Sequence, residues 1–112
     1  MWHYQAKLVR VIDGDTVDLM IDLGFYHYVK VRVRLEGIDT PERGQDGWSE
    51  ATQFVVEWFA RYNGECEVVT EKTGKYGRWL GTIKHDDDLD AGVYVILNEQ
   101  LVKEGLAVVY GT

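Results

Sequence analysis

A chain of 112 residues, 46% of them apolar and 12% aromatic, has the material for one packed core and is excluded from the disordered class. Twelve Lys and Arg against nineteen Asp and Glu leave a net charge of −7, which argues against a grip on nucleic acid through broad basic faces and leaves a local cluster of arginines or a bound metal ion as the way to meet a polyanion. One cysteine, Cys66, excludes an internal disulfide, and histidines only at 3, 27 and 85 give no zinc-ligand spacing.

In chain order, A-K-L-V-R-V-I (6–12) reads as a first strand. T-V-D-L-M-I-D-L (16–23) is a second, with Val17, Leu19 and Ile21 alternating against Asp18, Met20 and Asp22; Gly24 then turns the chain. H-Y-V-K-V-R-V-R-L (27–35) is a third, placing Val29, Val31, Val33 and Leu35 on one face and Lys30, Arg32 and Arg34 on the other. From Ser49 to Tyr62 the period changes. Ala51, Phe54, Val55, Trp58, Phe59 and Tyr62 fall on one helical face, and Gly64 stops the helix. C-E-V-V-T (66–70) and R-W-L-G-T-I (78–83) are two more strands. V-I-L-N-E-Q-L-V-K-E-G (95–105) is a second helix, and A-V-V-Y (107–110) a terminal extended piece. Three strands, a helix, two strands and a helix predict an α+β, mainly β, fold: a five-stranded antiparallel OB-type barrel with two helices, one domain over residues 1–112. No linker, repeat or low-complexity tract divides it.

Three clusters carry chemistry. V-I-D-G-D-T (11–16) places Asp13 and Asp15 around Gly14 at a strand end. R-L-E-G-I-D-T-P-E (34–42) contributes Arg34, Asp39, Thr40 and Glu42, and K-Y-G-R (75–78) contributes Lys75, Tyr76 and Arg78. Taken alone, Asp13-Gly14-Asp15 reads more readily as a tight turn than as a metal site. D-D-D-L-D-A-G (86–92) imitates an EF-hand loop and fails, because its glycine falls one place late and the twelfth position is Leu97. It reads as a solvated hairpin tip. Trp58 belongs to the helix's apolar face and to the core; Trp48 and Trp79 are candidates for base stacking. Arg32 shares a face with Arg34 and reads as a solvated face charge or a weak backbone contact.

V-I-D-G-D-T, V-R-L-E-G-I-D-T-P-E, K-Y-G-R and N-E-Q-L-V-K-E-G-L-A together resemble the motif series of the staphylococcal nuclease family, from about Val9 to Tyr110. The resemblance implies a nuclease that hydrolyses DNA, RNA or both with one calcium ion and leaves 3′-phosphate ends. It implies that Asp15, Asp39 and the backbone carbonyl of Thr40 ligate the ion, with Asp13 in an outer shell. Glu42 would hold or deprotonate the attacking water, Arg34 and Arg78 would contact the phosphate, and Lys75 and Tyr76 would meet the substrate. The residue types suit those roles. Calcium takes hard oxygen ligands, a base must reach the water it activates, and guanidinium groups fork onto phosphate oxygens.

The chain departs from the family pattern at Gly74, where an acidic residue commonly stands, in lacking a long basic insertion between Glu42 and Trp48, and in ending at Thr112 ahead of a final helix. The alternatives to an enzyme are a non-catalytic OB-type module that binds nucleic acid or protein, and a folded piece of a larger nuclease. No leader or membrane-length apolar run is visible, so the expectation is a cytoplasmic monomer without a membrane or protein partner, a processed secreted form remaining open.

Overall fold

The computed structural model describes residues 2–73, 79–86 and 92–110. Its elements in chain order are β1 (Trp2–Asp13), β2 (Thr16–Asp22), β3 (Tyr28–Leu35), β4 (Ile38–Asp39), α1 (Trp48–Arg61), β5 (Glu65–Thr73), β6 (Trp79–Asp86), β7 (Tyr94–Ile96), α2 (Leu97–Lys103) and β8 (Val108–Val109). The expected strands and helices are all present. β1 begins four residues earlier than the alternation suggested, because Trp2 to Lys7 pair with Thr70 to Glu65 of β5. Val95 and Ile96, read as the start of the second helix, instead pair with His85 and Lys84, and that helix spans only Leu97–Lys103.

The sheet runs β3-β2-β1-β5-β6-β7 and closes on itself through β3 and β6. The closing pair is parallel, with Val33 opposite Trp79 and Leu35 opposite Gly81, while every other pair is antiparallel. The barrel is therefore five-stranded and OB-type, as expected, but mixed rather than wholly antiparallel. Four successive antiparallel pairings from β3 through β2, β1 and β5 to β6 leave β6 running in the same direction as β3, so the closing pair is parallel. Gly81 sits at the seam: a Cβ there would stand 2.9 Å from side-chain carbons of both Val33 and Val68. Only glycine allows three strands to converge so closely.

Alternation builds the core. Val17, Leu19, Val33, Leu35, Val68 and Ile83 point inward and are fully buried, and α1 caps them with Val55, Trp58 and Phe59. Trp58 is core, as expected, with its Nε1 donating to Gln100 Oε1 of α2 at 2.7 Å. Gly64 ends α1 region by returning its N–H to the Phe59 carbonyl at 2.7 Å. Asn98 of α2 is buried and ties the seam together: its Oδ1 accepts from Ile83 N, and its Nδ2 donates to the carbonyls of Glu36 and Gly81. Cys66 lies in the core, where burial pushes its thiol up to about 12 and leaves it inert.

The β2–β3 hairpin turns through Gly24–His27, with His27 N donating to the Gly24 carbonyl at 3.0 Å. Its central residues are Phe25 and Tyr26, both left-handed (φ 55 and 62) and both 94% exposed. A two-residue hairpin requires that backbone, and bulky side chains adopt it at a cost. Among the described residues, no helix is long and apolar enough to cross a membrane.

Candidate active site

The turn between β1 and β2 is Gly14-Asp15, and it packs against α1 and the segment after β4. A Cβ on Gly14 would stand 2.8 Å from the Ala51 Cβ and 3.1 Å from both Cγ2 and Oγ1 of Thr40. The glycine is thus fixed by close approach. Its consequence is positional, because Asp15 is pressed inward to 7% exposure rather than left in solvent as an ordinary turn residue.

Asp15 is satisfied from three directions. Its Oδ1 accepts from Thr16 Oγ1 at 3.0 Å, and its Oδ2 accepts from the Thr40 backbone N–H at 3.0 Å. The same Oδ2 lies 3.1 Å from Arg34 Nη1. Arg34 sits at the end of β3 directly opposite Thr16, so the β2–β3 register delivers it to Asp15, and Leu35 N donates to the Asp15 carbonyl at 2.8 Å. From there the guanidinium reaches β4. Its Nη1 donates to the Ile38 carbonyl at 3.1 Å, and its Nη2 to Asp39 Oδ1 at 3.2 Å.

One guanidinium therefore spans two carboxylates of contrasting exposure. The Arg34 side chain is 16% exposed, whereas that of Asp39 is half exposed. Partly buried, charge-assisted contacts of this kind are short and directional, and they hold the planar group in one orientation. Asp39 is held by its own backbone: β4 pairs with β8 (Ile38 opposite Val109, Asp39 opposite Val108), and Tyr110 N donates to the Gly37 carbonyl. This support from the end of the chain was not anticipated, although the alternation of A-V-V-Y carried a trace of it.

The other expected residues fall as follows. Thr40 is buried, and its Oγ1 has no hydrogen-bond partner among the described residues. Glu42 is exposed; its N–H donates to Gln45 Oε1 at 2.8 Å and its carboxylate makes no contact among the described residues. Asp13 does not join the Arg34 group, because its Oδ1 accepts from Trp48 Nε1 at 2.7 Å. Trp48 is accordingly a tether for Asp13, with Arg43 over its ring at 4.9 Å, rather than an open stacking surface. Among the described residues, no three His, Cys, Asp or Glu side chains gather closely enough to hold a metal between them. The four acids of the two clusters thus do not crowd one pocket; Asp15 and Asp39 are brought together and the other two stand apart. Gly74, Lys75, Tyr76 and Arg78, and residues 87–91 of the acidic tip, lie outside the described residues.

A closed five-stranded barrel with α1 inserted after β3, and with an aspartate-bearing β1–β2 turn facing the arginine that ends β3, defines an OB-type protein whose site chemistry is carboxylate and guanidinium. Residues 32–112 match the family model described as staphylococcal nuclease homologue, and the chain belongs to that family. It is 31% identical over 109 residues to a micrococcal nuclease of Shigella flexneri, an alignment covering 96% of this chain and 59% of that protein. It is 40% identical over 80 residues to Protein ParB of Escherichia coli (70% and 41%), and 33% identical over 106 residues to an uncharacterized endonuclease of Escherichia coli O157:H7 (94% and 60%). The chain thus spans about three-fifths or less of the length of these relatives.

Proposed function

We propose that the chain is a calcium-dependent nuclease that hydrolyses phosphodiester bonds of DNA, RNA or both and leaves 3′-phosphate ends. Family membership and the names of the relatives support the reaction class. The single observation that carries the reading is the bridge from Arg34 to both Asp15 and Asp39, drawn from three separate segments of chain. A barrel needing only stability would not benefit from closing a half-exposed carboxylate onto a partly buried cation, since such pairs contribute little.

Asp15, Asp39 and the Thr40 carbonyl would hold the ion, with Asp13 outside them. The fit rests on the donor set, which is oxygen throughout, and on Thr40 Oγ1, a buried hard donor lacking a partner next to Asp15. When bound, a hard divalent cation neutralises charge on the phosphoryl oxygens. Arg34, whose guanidinium is held by Asp15 and Asp39, is proposed to donate to the phosphate as charge builds on it, and Arg78 is proposed as the second such donor. Glu42, exposed and with its carboxylate unpaired among the described residues, is proposed to take the proton of the attacking water. Lys75 and Tyr76 are proposed to contact substrate.

A second reading draws on the same bridge. With both carboxylates engaged by Arg34 and no third acid gathered among the described residues, the group also suits a binding module in which Arg34 staples the turn to β4. Incubation with single-stranded DNA, duplex DNA and RNA, each with calcium and with chelator, separates the two. Calcium-dependent cleavage of any of them is expected; binding without cleavage in calcium overturns the nuclease reading.

A further inference from the structure

The outward face of β1, β2 and β3 has an unusual charge for this chain. Strand alternation places Arg34, Arg32 and Lys30 on it along β3, opposite Thr16, Asp18 and Met20 of β2. On the other side of β2, Arg10 lies opposite Asp18 and Lys7 opposite Met20. Five of the chain's twelve basic residues thus occupy one face of a protein whose net charge is −7, and Asp18 and Asp22 are the acids that β2 places among them.

Asp18 is itself only 2% exposed, because two guanidiniums lie over it. Arg32 donates through Nε to Oδ1 at 2.8 Å and through Nη2 to Oδ2 at 3.2 Å; Arg10 Nε stands 3.4 Å from Oδ2. The arginines remain accessible, with side chains 48% and 64% exposed. One buried carboxylate therefore fixes two guanidiniums with their remaining donors facing solvent. Asp22 is committed to the hairpin, accepting from Gly24 N at 2.8 Å. Beyond Lys30 the face opens into a groove of about 350 Å³ lined by Gln5, Lys7, Met20, Asp22, Tyr28 and Glu65, in which Glu65 of β5 stands opposite Lys7 and Tyr28 is 59% exposed.

We propose that this face is a strand-binding track. It holds the sugar–phosphate backbone of a single-stranded polynucleotide leading away from Arg34, with Arg32, Arg10, Lys30 and Lys7 on successive phosphates and Tyr28 receiving an unpaired base. Alternate residues of β3 recur every ~6.7 Å, so Arg34, Arg32 and Lys30 form a row of cations one strand wide. A cationic path with an aromatic platform is the usual composition of sequence-tolerant single-strand sites. Asp18 is a positioning residue here, since it acts through the arginines it orients. The assignment rests on the nuclease reading for its direction from Arg34, but its test does not depend on cleavage.

The test is binding of a labelled oligothymidylate in chelator, by fluorescence anisotropy, between about 50 and 200 mM salt. Lys30→Gln, Lys7→Gln and Tyr28→Ala are compared with Lys103→Gln, which removes the same charge at the end of α2, with circular dichroism confirming the fold of each. Each of the first two is expected to weaken binding and to flatten the slope of log K against log salt by about 0.7. Tyr28→Ala is expected to weaken binding about fivefold or more at unchanged slope. Lys103→Gln is expected to keep the wild-type slope. Equal losses for Lys30→Gln and Lys103→Gln would overturn the track, and equal affinity for a duplex of the same length would overturn the single-strand assignment. Cleavage by the wild type is scored separately: cleavage with no track effect refutes only the track, and track binding without cleavage refutes only the nuclease reading.

Discussion

Asp15 and Thr40 stand 25 positions apart in the chain, and a 3.0 Å hydrogen bond from the Thr40 backbone N–H to the Asp15 carboxylate joins them. That bond registers the first turn of the barrel against the segment following β4, and Arg34 closes the triangle through Asp15 and Asp39. The site is therefore as well placed as the contacts that bring these segments together.

Gly14 is the tightest of those contacts. In Gly14→Ala, the new Cβ meets the Ala51 Cβ at 2.8 Å, and neither atom can swing aside. The expected loss is about 1–3 kcal/mol of stability, read as a lower urea midpoint at unchanged m-value. A midpoint equal to wild type would show that turn and helix are not in contact.

The hairpin tip offers the opposite sign. Tyr26 has φ 62, a backbone conformation glycine adopts freely, and its ring is exposed. Tyr26→Gly is expected to raise stability by about 0.5–1 kcal/mol by removing that conformational cost, measured by thermal or urea denaturation. Destabilisation would mean that the ring makes a stabilising contact that outweighs it.

Asp18 sets part of the acid limb. The hydrogen bond from Arg32 is the largest cause holding its carboxyl below the ordinary value of 3.8, assisted by the charges of Arg32, Lys30 and Arg10 and opposed by burial. A lowered folded-state pKa contributes stability above the unfolded value, and that contribution is lost as pH falls through the folded one. Stability is expected to decline from about pH 4 downward. In Asp18→Asn that part of the decline should be absent, which denaturation from pH 7 to pH 2 checks. An unaltered acid limb would contradict the pairing.

Glu42 is exposed and its carboxylate is unpaired among the described residues, so Glu42→Gln is expected to leave the melting temperature within about 2 °C of wild type. Turnover should fall by about 100-fold or more if this carboxylate takes the proton. Unchanged cleavage would remove it from the mechanism.

Alternation at Val17, Leu19 and Val33 and the helical face from Ala51 to Tyr62 were legible because a half-buried element writes its period into the chain. The parallel closure of β3 on β6 has no local pattern; it follows from the strand count, because five strands cannot close a ring with every neighbouring pair antiparallel. The meeting of Asp15 and Asp39 was expected from the resemblance, whereas the Arg34 bridge between them, the diversion of Asp13 to Trp48 and the support of β4 by β8 depend on tertiary contacts. Arg32 read as a solvated charge because alternation gives a face but not a partner; its bidentate contact with Asp18 required the β2–β3 register.

Arg34 joins the two carboxylates of the site. The most direct measurement is the cleavage rate of one oligonucleotide in calcium by wild type and by Arg34→Lys, which keeps the positive charge but cannot span Asp15 and Asp39 with a planar fork. A rate at least about 100-fold lower, with a melting temperature close to wild type, is the expected result. Comparable rates for the two proteins would contradict it.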